Sequence, residues 1–202
     1  MTTAFQTVFD KAESISINRR RSVAQTQSRD GTVRAISQGA QPWRFEVRLP
    51  DGPRWTDYRG LIEQMEALDR VTVGTVQISD PGLSWLSGYQ GNSTSTMTAT
   101  FVSDNTITLA TGQAASGYNF KAGDFIQLGS GNSVYSVVSD VAYNSNTVTL
   151  HRPVLEAAGT YTLIRGQSVT WSVICQDFPT WTIFARDQIS WSGPFVFVED
   201  LT

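Results

Sequence analysis

Trp43-Arg44-Phe45-Glu46-Val47-Arg48-Leu49-Pro50 is the stretch that decides how this chain is read. Strict alternation puts Trp43, Phe45, Val47 and Leu49 on one face and Arg44, Glu46 and Arg48 on the other, the period-2 pattern of a strand with one buried and one solvated face. Pro50 ends it, because proline has no N–H to give to a ladder. The same aromatic, alternating style returns only near the end of the chain, in Val169-Thr170-Trp171-Ser172-Val173-Ile174-Cys175, then in Trp181 to Ala185 and Phe195 to Val198. Strands of one style at the two ends of a chain predict one core assembled from both.

Working outward from Pro50, Asp51-Gly52-Pro53 reads as a turn and a helix start with proline in the first helical position. Trp55, Tyr58, Leu61, Ile62, Met65 and Leu68 follow at spacings of three and four, which predicts a single helix of about 15 residues. Gly60 inside it costs about 1 kcal/mol relative to alanine, so a close approach to another element is expected there. Upstream, Ile15 to Ile17 and Val33 to Ile36 read as strands joined by a long polar loop through Ala24 to Gly31. Downstream, Val71 to Ile78 and Leu83 to Tyr89 read as two more strands.

At Gly88 the composition changes. Gly88 to Thr96 has the look of a tether, and between Met97 and Arg165 only Lys121, Arg152 and Arg165 oppose Asp104, Asp124, Asp140 and Glu156. The runs there are short: Thr98 to Val102, Thr106 to Leu109, Phe125 to Leu128, Val134 to Val138, Thr147 to Leu150 and Thr160 to Ile164. Short strands separated by turn signals predict a small closed barrel. Whole domains are tolerated at surface hairpins, so residues 92–165 are expected to be an insertion into a discontinuous β core of residues 1–91 and 166–202. The fold class expected is mainly β: a β-sandwich or split-barrel core with one α-helix, plus the inserted barrel. On this reading Tyr89 and Gln167 lie close together, and a short link in place of the insert leaves a soluble core.

Composition narrows the chemistry. The chain has 202 residues, 40% hydrophobic and 16% charged, with 21 serines and 23 threonines, too apolar for disorder and suited to strands. A net charge of −3 argues against a general nucleic-acid binder, which needs surplus Lys and Arg to displace counterions. One cysteine, Cys175, rules out an internal disulfide, and one histidine, His151, leaves the usual zinc sites and catalytic triads short of parts. Asp10, Lys11 and Glu13 stand where a secretory signal has its apolar centre, and no run approaches 18 apolar residues, so a soluble product made in the cytoplasm, without membrane insertion, is expected.

The order of elements, and above all Lys121-Ala-Gly-Asp-Phe-Ile-Gln-Leu128, Val134-Tyr-Ser-Val137 and Thr147-Val-Thr-Leu-His-Arg-Pro-Val-Leu155, resembles siphophage distal tail proteins of the subgroup with an inserted OB-like barrel. The resemblance covers the whole chain by architecture and about 35 residues by motif. It implies a non-enzymatic virion protein, a hexameric ring at the tail tip that joins the tail tube to the hub and receptor-binding apparatus, assembled in the host cytoplasm. Its implied partners are other copies of itself, the tail tube protein and the tail-tip hub proteins, with host-surface saccharide as a further ligand. No compact functional motif defines the family, so the architecture transfers and a site does not.

Most of the remaining polar residues have plain structural readings. Asp80, Asp104, Asp124, Asp140 and Asp187 fall where turns are expected, and Asp caps turn amides, which is preferred over a glycosidase pair. Gly129-Ser130-Gly131-Asn132 reads as a hairpin turn, not a phosphate loop, because no helix follows. Cys175 is read as a packed, inert thiol and His151 as structurally satisfied. Asn92-Ser93-Thr94 is read as part of the tether. No catalytic residue, cofactor or metal ligand is assigned. Arg19, Arg20 and Arg21 lie in a front segment with nine basic and six acidic residues up to Tyr58; a solvated or edge-protecting strand is their plain reading, nucleic-acid contact is a further one, and with Asp187, Glu199 and Asp200 they are the candidate subunit-interface charges, since ends of opposite charge suit a head-to-tail ring. A carbohydrate-binding module is the alternative function, with Tyr118, Phe120, Tyr143 and Tyr161 of the barrel as candidate saccharide contacts.

Overall fold

The computed structural model describes residues 4–201 except 20–21, 28, 30–32, 39–40, 69–70, 80–81, 102–103 and 131–132. The chain enters through helix α1 (Ala4–Asp10), then strands β1 (Ser14–Asn18), β2 (Ser22–Gln27), β3 (Val33–Gln38) and β4 (Arg44–Arg48), helix α2 (Trp55–Glu66) and strand β5 (Val73–Val76). A run of short strands follows: β6 (Thr98–Phe101), β7 (Thr106–Thr111), β8 (Tyr118–Phe120), β9 (Phe125–Leu128), β10 (Val134–Ser136), β11 (Val141–Ala142), β12 (Thr147–Thr149) and β13 (Gly159–Arg165). It leaves through β14 (Trp171–Asp177), β15 (Trp181–Phe184), β16 (Gln188–Trp191) and β17 (Phe195–Glu199). The mainly-β class read from the sequence is the class observed, with two helices where one was expected.

The alternation at Trp43 to Leu49 does what it predicts. β4 sits inside a five-stranded antiparallel sheet of order β1-β4-β17-β14-β5, in which β1, β4 and β5 come from the front of the chain and β14 and β17 from its end. Phe45, Val47, Trp171, Val173, Phe195 and Phe197 point into one core, while Arg44, Glu46 and Arg48 stay on the open face. Both helices pack into that core, α2 through Tyr58, Leu61, Ile62 and Met65.

Helix α1 is additional to the single helix expected, and Phe5, Val8 and Phe9 carry its i, i+3, i+4 stripe. It drives Phe5 and Phe9 edge-on against Phe197 and Phe45, at centroid separations of 5.3 and 5.6 Å. Gly74 in β5 makes room for it: a Cβ there would come within 2.4 Å of the Phe5 ring. At only seven residues α1 has too few internal hydrogen bonds to stand alone, so tertiary packing decides it.

Four local readings are corrected. α2 begins at Trp55, not at Pro53, because Arg54 stays extended as a bridge partner of Gln188 and Pro53 O accepts from Ile189 N. Leu83 to Tyr89 is a 3-10 turn at Ser84–Leu86, pinned by Ser87 Oγ donating to Ile78 O at 2.7 Å. The polar stretch expected to be a loop contains β2, which pairs with β3 as a separate two-stranded ribbon. Gly60 approaches nothing: a Cβ there would meet no atom within 4 Å. Gly60→Ala is therefore expected to add about 1 kcal/mol of stability, read as a rise of about 2–4 °C in the unfolding midpoint of a chain this size; an unchanged or lower midpoint would contradict an open helix surface.

The strands between Thr98 and Arg165 form a second body. Six of them run in the order β10-β9-β13-β6-β7-β12, with β13 pairing β6 through Gly159–Thr162 and β9 through Leu163–Arg165. The two outer strands meet: Val137 bridges Leu150, Val138 N donates to Thr149 O, and His151 N donates to Ser136 O. The sheet is thereby curled shut around Phe120, Ile126, Leu128, Tyr135, Val148 and Leu150. Gly88 to Thr96 is not a free tether. Ser93 is buried and donates to Gly112 O at 2.6 Å, Asn92 N donates to Tyr118 O, and Gln90 N donates to Asp124 Oδ1, so the entering segment is fastened along the barrel. The exit lies beside the entrance: a Cβ on Gly166 (φ +63°) would stand 2.8 Å from Tyr89 Cβ, and the Arg165 guanidinium lies over the Tyr89 ring at 4.5 Å.

Candidate functional site

The junction of sheet and barrel concentrates the polar chemistry of the molecule. Arg152, 1% exposed, leaves the barrel just after β12 and meets Glu199, 5% exposed, at the end of β17. The contact is bidentate: Nη1 donates to Oε2 at 2.6 Å and Nη2 to Oε1 at 2.7 Å. Arg152 also donates to Gln41 O at 2.7 Å and to Val134 O at 3.0 Å, and its guanidinium lies over the Tyr135 ring. Glu199 accepts in addition from Trp43 N at 3.1 Å. A fork geometry suits arginine to this position, and so many partners for one buried pair offset the cost of taking two charges out of water.

Aromatic packing and amide pairing close the rest of the junction. Trp43, 1% exposed, packs against Phe125 of the barrel at 5.5 Å, against His151 at 5.0 Å and against Trp171 at 6.2 Å. Its indole N–H donates to Val134 O at 2.8 Å. Gln127, fully buried in β9, exchanges two hydrogen bonds with the backbone of Thr170. Phe125 and Val134 thus belong to the sheet-side core although they sit on barrel strands. Trp43, legible as a core residue, is also the pivot between the two bodies, and no sequence signal marked Arg152 as its neighbour.

The candidate interface charges divide. Glu199 is corrected: at 5% exposure it is paired inside the chain with Arg152, so its carboxylate is not a surface charge. Asp187 sits at φ +63° in the β15–β16 turn, where its carbonyl accepts from Trp55 N at 2.9 Å and its carboxylate from Thr56 Oγ1 at 3.1 Å, so it holds the start of α2. Asp200 is half-buried, with its N–H on Ser172 O. Arg19 is half-buried beside Trp43, and Arg20 and Arg21 lie outside the described residues. The structure brings none of the three acids to Arg19.

Of the candidate saccharide contacts, Phe120 is corrected: it is 0% exposed and fills the barrel. Tyr118 of β8 and Tyr143, just after β11, do reach solvent, at 36% and 46% exposure, with Lys121 Nζ 3.4 Å above the Tyr118 ring. Tyr161 is half-buried and donates to Ala157 O.

The turn aspartates do what turn aspartates do. Asp124 accepts from Lys121 N and Gln90 N; burial pushes its carboxyl above the usual range and the two amides pull the other way. Asp140 accepts from Ala122 N and Lys121 Nζ, the amide first and the ammonium second holding its carboxyl below the usual range. Asp104 takes φ +71° in the β6–β7 turn, and Asp80 lies outside the described residues. β9 and β10 pair as a hairpin across the turn at Gly129, with Gly131 and Asn132 outside the described residues. His151 Nδ1 accepts from Ser136 N at 3.0 Å. Burial pushes the Cys175 thiol up to about 11, which suits a packed rather than a reactive group.

Among the described residues no group of three or more His, Cys, Asp or Glu is placed to hold a metal, and no helix is long and apolar enough to cross a membrane. The sequence matches no protein-family model and no curated protein.

Proposed function

We propose that this protein is a non-enzymatic structural component of a siphophage tail, a distal tail protein whose copies close into a hexameric ring between the tail tube and the tail-tip hub. The observation that carries the reading is the five-stranded sheet drawn from both ends of the chain, with a barrel leaving and returning at adjacent points, the architecture that the resemblance implies. A second feature supports assembly. The sheet ends in two edges, β1 and β5, and an open edge is a template for pairing with another chain. Exposed apolar side chains cluster at and before the β5 edge, Val71 at 74% and Val73 at 48% exposure. Two different edges meeting head to tail is the heterologous contact that closes into a ring when the rotation permits.

Native mass spectra over a concentration series, alone and with a tail-tube protein, are expected to show a species of six times 22.2 kDa. Val73→Lys, which places a charge on the edge, is expected to remove that species while shifting the unfolding midpoint by no more than a few degrees. Monomers and dimers alone under every condition, or rings untouched by Val73→Lys, would refute ring closure through this edge.

A further inference from the structure

A cleft of about 370 Å³ opens where the end of β1, the loop entering the barrel and the Lys121–Asp124 turn meet, lined by Ile17, Arg19, Trp43, Trp85, Gln90 and Phe125. Its size is that of a small-ligand site. Trp43 and Phe125 supply an apolar floor that is already rigid, since both are locked into the junction. Gly123 keeps the turn side roomy: a Cβ there would meet nothing within 4 Å.

Two of the lining side chains are unusual for a surface that has only solvent to meet. Trp85 is 72% exposed, yet its orientation is fixed by its indole N–H, which donates to Gly82 O at 3.1 Å. An indole held in place with its rings in water is a preformed platform, because little conformational freedom remains to be lost on binding. Arg19 is half-buried with its guanidinium 5.4 Å from the Trp43 ring centroid, and among the described residues it has no ion pair and no hydrogen bond on the guanidinium. Burial lowers its pKa, the mark of a cation partly stripped of water with no counter-charge supplied. Such a group favours an incoming anion, and its planar fork favours a carboxylate. Gln90, exposed at the rim, adds one amide with both donor and acceptor capacity.

An apolar ring face, one carboxylate and hydroxyls along one edge are the complement of that surface. We propose that the cleft binds an acidic saccharide, a uronic-acid-type sugar residue that packs against Trp85, pairs its carboxylate with Arg19 and sets hydroxyls on Gln90. A nucleic-acid strand fits less well, since a chain of net charge −3 with Arg19 the one cation among the described lining residues offers no track for successive phosphates. The proposal does not rest on ring formation, and neither Tyr118 nor Tyr143 is among the described residues that line the cleft.

The test is a tryptophan-fluorescence titration of the full chain with a galacturonic acid hexamer, against an uncharged glucose hexamer of equal length. Saturable binding of the acidic probe is expected, at least tenfold tighter than the neutral one and weakened by salt. Arg19→Gln should remove that preference, Arg19→Lys should keep part of it, and Trp85→Ala should abolish binding of both probes, all with unfolding midpoints within a few degrees of the parent. Tyr118→Ala and Tyr143→Ala should change nothing. Equal affinity for the two probes, no saturation, or binding that survives both Trp85→Ala and Arg19→Gln would overturn the proposal. So would a Trp85→Ala chain that loses self-association without any probe present, which would make the cleft a subunit contact.

Discussion

Arg152→Met is expected to lower the unfolding midpoint by about 6–20 °C. The change keeps the length and apolar stem of the side chain but leaves Glu199, 5% exposed, as a buried carboxylate without its cation. Breaking one half of a buried pair costs about 3–5 kcal/mol, and each kcal/mol moves the midpoint of a chain this size by about 2–4 °C. The loss belongs to the stranded charge more than to the missing contact. Arg152→Met combined with Glu199→Gln should therefore recover more than half of it, because glutamine still offers Trp43 N an acceptor oxygen and carries no charge. Calorimetry of the two single variants and the double variant closes the cycle. A midpoint within 2 °C of the parent for Arg152→Met would mean that the pair is solvated and that the junction is looser than its geometry.

Excision of residues 92–165 behind a short Gly/Ser link is expected to destroy the cooperative fold of what remains. Closing the gap between Tyr89 and Gln167 is itself cheap, since the two crossings lie side by side and a short loop between near ends costs little entropy. The cost lies at the surface uncovered. Trp43 and Trp171 lose Phe125, Val134 and His151 from their packing, Thr170 loses Gln127, and Glu199 loses Arg152. Uncovering one large buried aromatic costs about 3–5 kcal/mol by analogy with truncating it, and the stranded carboxylate adds a similar amount, which together approach the whole stability of a typical domain. Loss of the near-ultraviolet circular dichroism and of a sharp thermal transition is the expected result. A soluble core that unfolds cooperatively within a few degrees of the parent would show that the barrel is an appendage, as the composition change at Gly88 and the return of the aromatic style after Gly166 suggest.

The alternation of Trp43 to Leu49, its return at Val169 to Cys175 and the low-charge run of short strands between them determined the class of fold and where the barrel lies along the chain. These are local signals, since side-chain periodicity follows from backbone geometry and needs no knowledge of the partner. The hairpin β15–β16 was half legible: Trp181 to Ala185 showed as a strand, while Gln188–Trp191 carried too little alternation to show. Helix α1, too short to form by itself, and the 3-10 turn at Ser84–Leu86 were decided by what they pack against, as was the late start of α2. The site was least legible. Phe120 and Tyr118 sit two positions apart on β8, a spacing that puts both on one face of a regular strand, yet beside the register shift of the β8–β11 pair Phe120 is buried and Tyr118 reaches solvent. Glu199 and Arg152 looked like two unrelated charges because the pair is 47 residues apart in the chain. Which charges meet, and which aromatic side chain stays exposed beside an arginine, is set by long-range packing of two bodies, and no local pattern in either segment encodes it.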